Sequence, residues 1–503
     1  MNPLKVLVTS KKQLEFKYGK NFSRLEALFD SLIKADAKKG VNTKLIYIDD
    51  KASTTAAGIE IVDIINDRTS KKVVDEIAAK HEPAYIMIVG AGDVIPFQCI
   101  TNPADDDDSE VESDLPYACD APYSKTIDAY TGPTRVVSRL PDIEGQQKNV
   151  TYLKTLITNI IKQKPASVNK YSKYFAMSTQ MWKKSTAMSL QNMFNDNKML
   201  LLSPSGLNPE APVTKEILSP LIHFYNCHGA PKRPEYYGQK GNDYPIAMQS
   251  AALVKNLSYG TIIAAECCYG AQLYDPKKIN NKNTVNSLAS TYLQYGAISF
   301  LGSSTIAYGP ADHNSLADLL TQYFIKSLLD GASAGRALLE ARQKFLTESG
   351  PQLDPYELKT LAQFLLLGDP SIQPVISDED LMSKTMMGGS VQNNRMKLMS
   401  KGISLRNSIS PSEKTSSDQK SANEAELESI MKKTNFGSDA KQAVYALKTN
   451  PHLNGLQKKI TDEEIVFRTF TKEKKRPDYN RFKVLVVKEN KDQVLGWRVY
   501  ESR

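Results

Sequence analysis

The chain has 503 residues, 41% of them hydrophobic and 24% charged, with a formal net charge of +8. That composition is globular, the length calls for more than one folding unit, and no apolar run approaches the ~18 residues of a membrane-crossing helix. Cys99, Cys119, Cys227, Cys267 and Cys268 show neither a C-x-x-C pair nor metal-ligand spacing, so neither a disulfide framework nor a zinc site is expected.

The amino-terminal stretch predicts a short buried strand at Leu4–Val8 rather than the charged-then-apolar layout of a signal peptide, which sets the expectation of a cytoplasmic protein. Helical periodicity follows at Phe22–Ala35, a second strand at Thr43–Ile48, a helix at Lys71–Ala79 and a buried strand at Tyr85–Val89. Alternation of this kind argues for a mostly parallel sheet flanked by helices. Gly90-Ala91-Gly92-Asp93 reads as a turn, because no third glycine follows and Pro96 interrupts the helix a dinucleotide site needs. The acidic run Asp105–Asp108, with Glu110, Glu112 and Asp114, reads as an exposed loop, a calcium site being the alternative. A strand at Arg135–Arg139 follows.

A second alternating block runs from about Tyr174 to Pro374. Its expected strands are Tyr174–Met177, Met199–Leu202, Leu221–Asn226, Thr261–Ala265 and Ala297–Leu301. Its expected helices are Thr186–Phe194, Thr284–Gln294, Ser315–Leu329 and one capped by Ser333 that runs to Thr347. Ser377 to Asn423 lacks aromatic residues and reads as a flexible linker. A small α+β appendage closes the chain, with a helix near Ala440–Leu447 and strands at Glu464–Thr469, Phe482–Val487 and Leu495–Tyr500. The basic cluster Lys472, Lys474, Lys475 and Arg476 reads as a solvated loop, so nucleic acid is not an expected partner.

Two strand ends carry chemistry. Leu221–Asn226 leads into Cys227-His228-Gly229, and Thr261–Glu266 leads into Cys267-Cys268-Tyr269-Gly270. In an open parallel sheet ligands bind beyond the carboxyl ends of the strands, so a His and a Cys at two such ends can face one crevice. Imidazole transfers protons near neutral pH, and thiolate is a strong nucleophile. Glycine after the histidine lets its N–H approach a carbonyl closely, and with the Cys267 N–H it forms a candidate oxyanion site. The alternative for each cysteine is plain packing, since cysteine is among the most buried residue types.

With these motifs the chain resembles the gingipain family of cysteine peptidases, relatives of caspases, legumain, separase and clostripain. The likeness extends over much of residues 85–374. It includes Ile88–Pro96, Ser113-Asp114-Leu115-Pro116-Tyr117, Val136–Pro141, the loop Gly302-Ser303-Ser304-Thr305 and Leu366-Leu367-Gly368-Asp369-Pro370-Ser371. Ser138-Arg139 departs from the family's Gly-Arg. In that clan the nucleophile is commonly followed three positions later by Gly, which selects Cys267; the caspase spacing selects Cys268, the alternative nucleophile. The resemblance implies a pocket wall at Ser303 and Tyr308. Arginine-specific relatives place an Asp shortly after the first catalytic strand, but Ser178–Ser185 here contains no acid. Asp312 is the substitute candidate for binding a Lys or Arg side chain, its alternative role being a helix cap. Glu266 is expected to point away from the pocket by strand alternation.

The expectation is therefore an α/β, caspase-like (gingipain-type) protein of doubly wound, mostly parallel sheets. Its divisions are an N-terminal pseudo-domain at 1–165, a catalytic domain at 166–376, a linker at 377–425 and an appendage at 426–503. The implied activity is a cytoplasmic cysteine endopeptidase acting on protein or peptide substrates through His228 and Cys267, with oxyanion donors Gly229 and Cys267, no cofactor and no metal. Expected control is by an activating or inhibitory protein partner or by self-cleavage in the linker. An inactive peptidase-like scaffold is the alternative.

Overall fold

Strands form where apolar, β-branched runs are long enough to be buried on both faces. The computed structural model of the chain describes residues 2–145, 148–204, 213–279, 285–376, 388–415, 421, 423–448, 450, 465–476 and 479–503, with side chains from 394 onward in the helix that begins at 388. In chain order the strands are β1 (Leu4–Thr9), β2 (Asn42–Tyr47), β3 (Tyr85–Val89), β4 (Val137–Leu140), β5 (Tyr174–Thr179), β6 (Leu200–Ser203), β7 (Ile222–Asn226), β8 (Thr261–Ala265) and β9 (Ala297–Ser303). Two short strands, β10 (Tyr308–Gly309) and β11 (Gln352–Leu353), precede β12 (Phe364–Gly368). Ten of these form one sheet in the order β2-β1-β3-β4-β12-β9-β8-β7-β5-β6. Every neighbouring pair is parallel except β9 with β12. The mostly parallel sheet expected from the alternation is present, and it runs unbroken across the expected boundary at 165/166.

Helices cover both faces. They are α1 (Phe22–Lys38), α2 (Asp67–His81), α3 (Thr151–Lys162), α4 (Lys183–Phe194), α5 (Leu288–Gln294), α6 (Ala317–Leu329), α7 (Ala334–Ser349) and α8 (Pro355–Gln363). Side chains of β7 assign the faces. His223 and Tyr225 meet Tyr292 of α5, whereas Asn226 donates to Thr186 Oγ1 of α4. Alternation along one strand therefore puts α5 and α4 on opposite sides. Thr284, expected within α5, lies outside the described residues; the helix starts after the cap Ser287. Among the described residues no helix is long and apolar enough to cross a membrane.

The two ends of the sheet-forming sequence are tied by buried charge. Lys5 on β1 lies 2.6 Å from Asp369 and 2.7 Å from Asp36. Asp369 follows Gly368, whose φ of +126° and 2.5 Å approach of a would-be Cβ to the Ile298 carbonyl oxygen leave room only for glycine. The Gly-Asp-Pro-Ser segment is thus a closure built around Lys5.

The carboxyl-terminal part departs from the sequence expectation in three ways. Where a flexible linker is expected, helix α9 (Gly388–Ser408) and strand β13 (Ser410–Lys414) form. The polar stretch is ordered by docking: Arg406 pairs with Asp120 at 2.7 Å, and Gln343 donates to the Leu398 carbonyl. Residues 377–387, including Lys384, lie outside the described residues. The helix expected near Ala440–Leu447 is instead strand β14 (Lys441–Leu447), paired on both sides; the helix of this unit is α10 (Glu424–Lys433). Pairing overrides the helical propensity of its Lys, Gln, Ala and Leu residues. Finally, with β15 (Val466–Lys474), β16 (Arg481–Glu489) and β17 (Val494–Ser502), the appendage sheet has the order β10-β17-β16-β15-β14-β13-β11. Its outer strands, β10 and β11, come from the stretch between β9 and β12 of the ten-stranded sheet.

The acidic run is also no simple exposed loop. Lys359 of α8 sits 2.6 Å from Asp106 and 2.7 Å from Asp108, with all three side chains enclosed, so a lysine is the cation that lets these carboxylates pack.

Candidate active site

β7 and β8 are adjacent and parallel, with Tyr225 opposite Ala265, so their carboxyl ends deliver the two sequence motifs to the same edge of the sheet. Just past the strands, the Glu266 N–H donates to the Tyr225 carbonyl at 2.9 Å and extends the register by one step. The chains then touch. A Cβ on Gly229 would stand 1.7 Å from the Cys268 carbonyl oxygen, so only glycine permits this approach.

His228 is buried. Its backbone exchanges two hydrogen bonds with Tyr237, and its Nε2 lies 2.7 Å from Gln239 Oε1. The amide oxygen accepts, which places the proton on Nε2 and leaves Nδ1 as the basic nitrogen; among the described residues Nδ1 has no hydrogen-bond partner. The ring packs edge-on to Trp182, with centroids 4.3 Å apart, and against Tyr244 at 5.0 Å.

The two cysteines are placed differently. Cys267 is 0% exposed, and burial together with neighbouring Cys227 pushes its thiol well above the ordinary range. Cys268 is 4% exposed and lines a cavity of about 410 Å³ together with Gly229, Tyr269, Ile306, Tyr479 and Arg503. Burial pushes its thiol up to about 12, with backbone N–H groups of Ala307 and Arg503 acting the other way; the Ala307 N–H is 3.3 Å from the sulfur. The spacing to Gly270 selects Cys267, whereas the cavity belongs to Cys268.

The expected pocket residues separate in the same manner. Ser303 is buried, with its hydroxyl donating to the Thr305 carbonyl at 2.7 Å, and so shapes the loop. Tyr308 contributes backbone as β10, while its hydroxyl donates to Asp106 at 2.8 Å. Asp312 is not among the residues lining the cavity that holds Cys268 and Gly229. Its carboxylate is 70% exposed and engages His313, and α6 begins five residues later at Ala317 without a side-chain cap.

A buried acidic pair lies elsewhere. Glu266 and Asp318 are fully buried and hold the guanidinium of Arg503: Nη1 is 2.5 Å from Glu266 Oε2, and Nη2 is 2.8 Å from both Asp318 oxygens. The Arg503 guanidinium carbon lies 5.2 Å from the Trp182 ring centre. Burial and neighbouring Asp318 push the Glu266 carboxyl well above its usual range, opposed by Arg503. Glu266 lies on the α4–α6 face, the side of Asn226, as strand alternation carried past Ala265 gives, and there its carboxylate accepts from Thr321 of α6. Trp182, in the acid-free Ser178–Ser185 segment, supplies the aromatic ring that both His228 and Arg503 pack against.

The family model of peptidase family C25 matches residues 5–375, from β1 through the closure after β12. No curated protein matches the chain.

Proposed function

The chain belongs to peptidase family C25, the gingipain family, and is a cysteine peptidase; on that premise we propose that Cys268 is its nucleophile, His228 its base and Glu266 with Asp318 its specificity pocket. The observation that carries the reading is the shared cavity of Cys268 and Gly229 at the joint edge of β7 and β8. His228 Nδ1 takes the thiol proton. The thiolate adds to the substrate carbonyl, and N–H groups of Gly229 and the nucleophile meet the developing oxyanion. Collapse expels the amine, protonated by the imidazolium, and leaves a thioester that water hydrolyses.

The pocket suits arginine above lysine. Asp318 receives the planar guanidinium with both oxygens and Glu266 takes a second nitrogen, a fork that an ammonium does not match. A reducing, cytoplasmic setting suits five unpaired cysteines. The spacing to Gly270 still favours Cys267 as the competing nucleophile, and one experiment separates the two. An arginyl peptide carrying a thiol-reactive warhead is expected to label Cys268, read by mass spectrometry. Cys268→Ala is expected to abolish both labelling and hydrolysis, and Cys267→Ala to retain them. The reverse pattern returns the role to Cys267.

A further inference from the structure

The guanidinium that fills the acidic pocket is supplied by the chain itself. β17 runs antiparallel to β10, with Tyr308 opposite Ser502 and Gly309 opposite Glu501. One residue on, the Arg503 N–H donates to the Ala307 carbonyl at 2.9 Å. Arg503 then drops between Glu266 and Asp318, and its side chain is fully buried. Gly309 makes room for it, since a Cβ there would stand 1.8 Å from Arg503 Nη2. Ser502 and Arg503 also line the cavity that contains Cys268 and Gly229.

An extended segment adding itself to an exposed strand edge, with one side chain seated in a charged pocket, is the geometry by which peptides are recognised through β-augmentation. The neighbouring appendage reaches the same rim. Arg476 stacks over Tyr244, a ring partner of His228, at 4.1 Å and donates to the Asn242 carbonyl, while Asn480 donates to Asp107 at 2.7 Å.

We propose that residues Val494–Arg503 are a resident pseudosubstrate. They occupy the strand-docking edge Ala307–Gly309 and the Glu266–Asp318 pocket, and they must leave before an extended peptide bearing arginine can enter. This rests on the reading of that cavity as the substrate cleft. It also states what an activator does: it binds the form in which Arg503 is withdrawn better than the form in which it is seated, and shifts the population accordingly. The surface that Arg503 vacates accepts a peptide strand whose arginine takes its place.

The test uses the full chain. Arg503→Ala is expected to hydrolyse an arginyl peptide about ten-fold faster than the wild type or more, whereas Arg503→Lys, which keeps a cation but loses the fork, is expected to fall between the two. In a Cys268→Ala background, an acetylated arginyl peptide amide is expected to bind the Arg503→Ala protein about ten-fold tighter. On the unsubstituted chain, the same peptide in excess is expected to speed amide hydrogen exchange across 494–503. A folded Arg503→Ala protein that is neither faster nor tighter-binding than its parent overturns the proposal, and leaves the peptidase reading intact if the parent hydrolyses. Tighter binding without hydrolysis by any form upholds the pseudosubstrate and removes the nucleophile assignment. Should Arg503→Ala fail to fold, the exchange measurement decides alone, and unchanged exchange under saturating peptide overturns the proposal.

Discussion

Glu266, just past β8, and Asp318, on α6, together hold the Arg503 guanidinium. Glu266 follows a strand that was legible to the residue, Thr261–Ala265, because its uninterrupted apolar run is buried on both faces. Alternation carried one step further places Glu266 on the face of α6, where it meets the Arg503 guanidinium together with Asp318, a pairing that no local pattern signals. The cysteines pose the same difficulty, since both lie beyond the strand and only packing separates the enclosed Cys267 from the cavity-lining Cys268. The pocket residues make a direct prediction. Hydrogen bonds to a charged group contribute about 1.5–3 kcal/mol, so Asp318→Asn or Glu266→Gln is expected to lower kcat/KM for arginyl substrates roughly 10- to 150-fold. Asp312→Ala, altering an exposed carboxylate paired with His313, is expected to stay near the parent value. A peptide series assayed on protein freed of its restraint checks both; equal losses in all three variants would remove the pocket.

At the scale of elements, β7 does two jobs, presenting His228 beyond its end and anchoring the sheet through His223 within it. His223 Nε2 lies 3.0 Å from the Pro220 carbonyl, which can only accept, so Nε2 carries the proton and Nδ1 accepts from Tyr292 at 2.9 Å. Both nitrogens are satisfied by the neutral ring, and burial pulls the group down to about 4. The unfolded chain, near 6.5, binds a proton that the folded chain refuses between those two values. Stability therefore falls as pH drops from about 6.5 toward 4, by about 3 kcal/mol from this group alone. Melting temperatures across that window are expected to fall more steeply for the parent than for His223→Gln; parallel curves would place the acid sensitivity elsewhere. Elements of this kind were readable because continuous apolar runs mark strands buried on both faces. β14 was not, since its helical-looking Lys, Gln and Ala residues are held extended by partners on each side that lie far off in sequence.

For the whole molecule, the junction between the catalytic sheet and the appendage depends on a buried cluster that composition alone presented as surplus charge. Lys359 compensates Asp106 and Asp108; Asp106 accepts from Tyr308, which forms β10, and Asp108 accepts from Tyr269, the neighbour of Cys268. The flanking Asp105 and Asp107 turn outward to Lys414, Lys441 and Asn480 of the appendage. One short loop thus ties Tyr308, the segment after Cys268 and the appendage together. The outward pairs are exposed and each is worth about 0–1 kcal/mol, so they guide docking rather than hold it. The inward cluster is different. Removing the cation leaves two carboxylates in the interior, a change that typically costs about 3–5 kcal/mol. Lys359→Met is therefore expected to lower the melting temperature clearly and to raise amide exchange at Ala307–Gly309. Combining it with Asp106→Asn and Asp108→Asn, which removes the uncompensated charge, is expected to recover most of the stability. If Lys359→Met melts with the parent, the carboxylates have another source of compensation and the loop is not the joint between the two sheets.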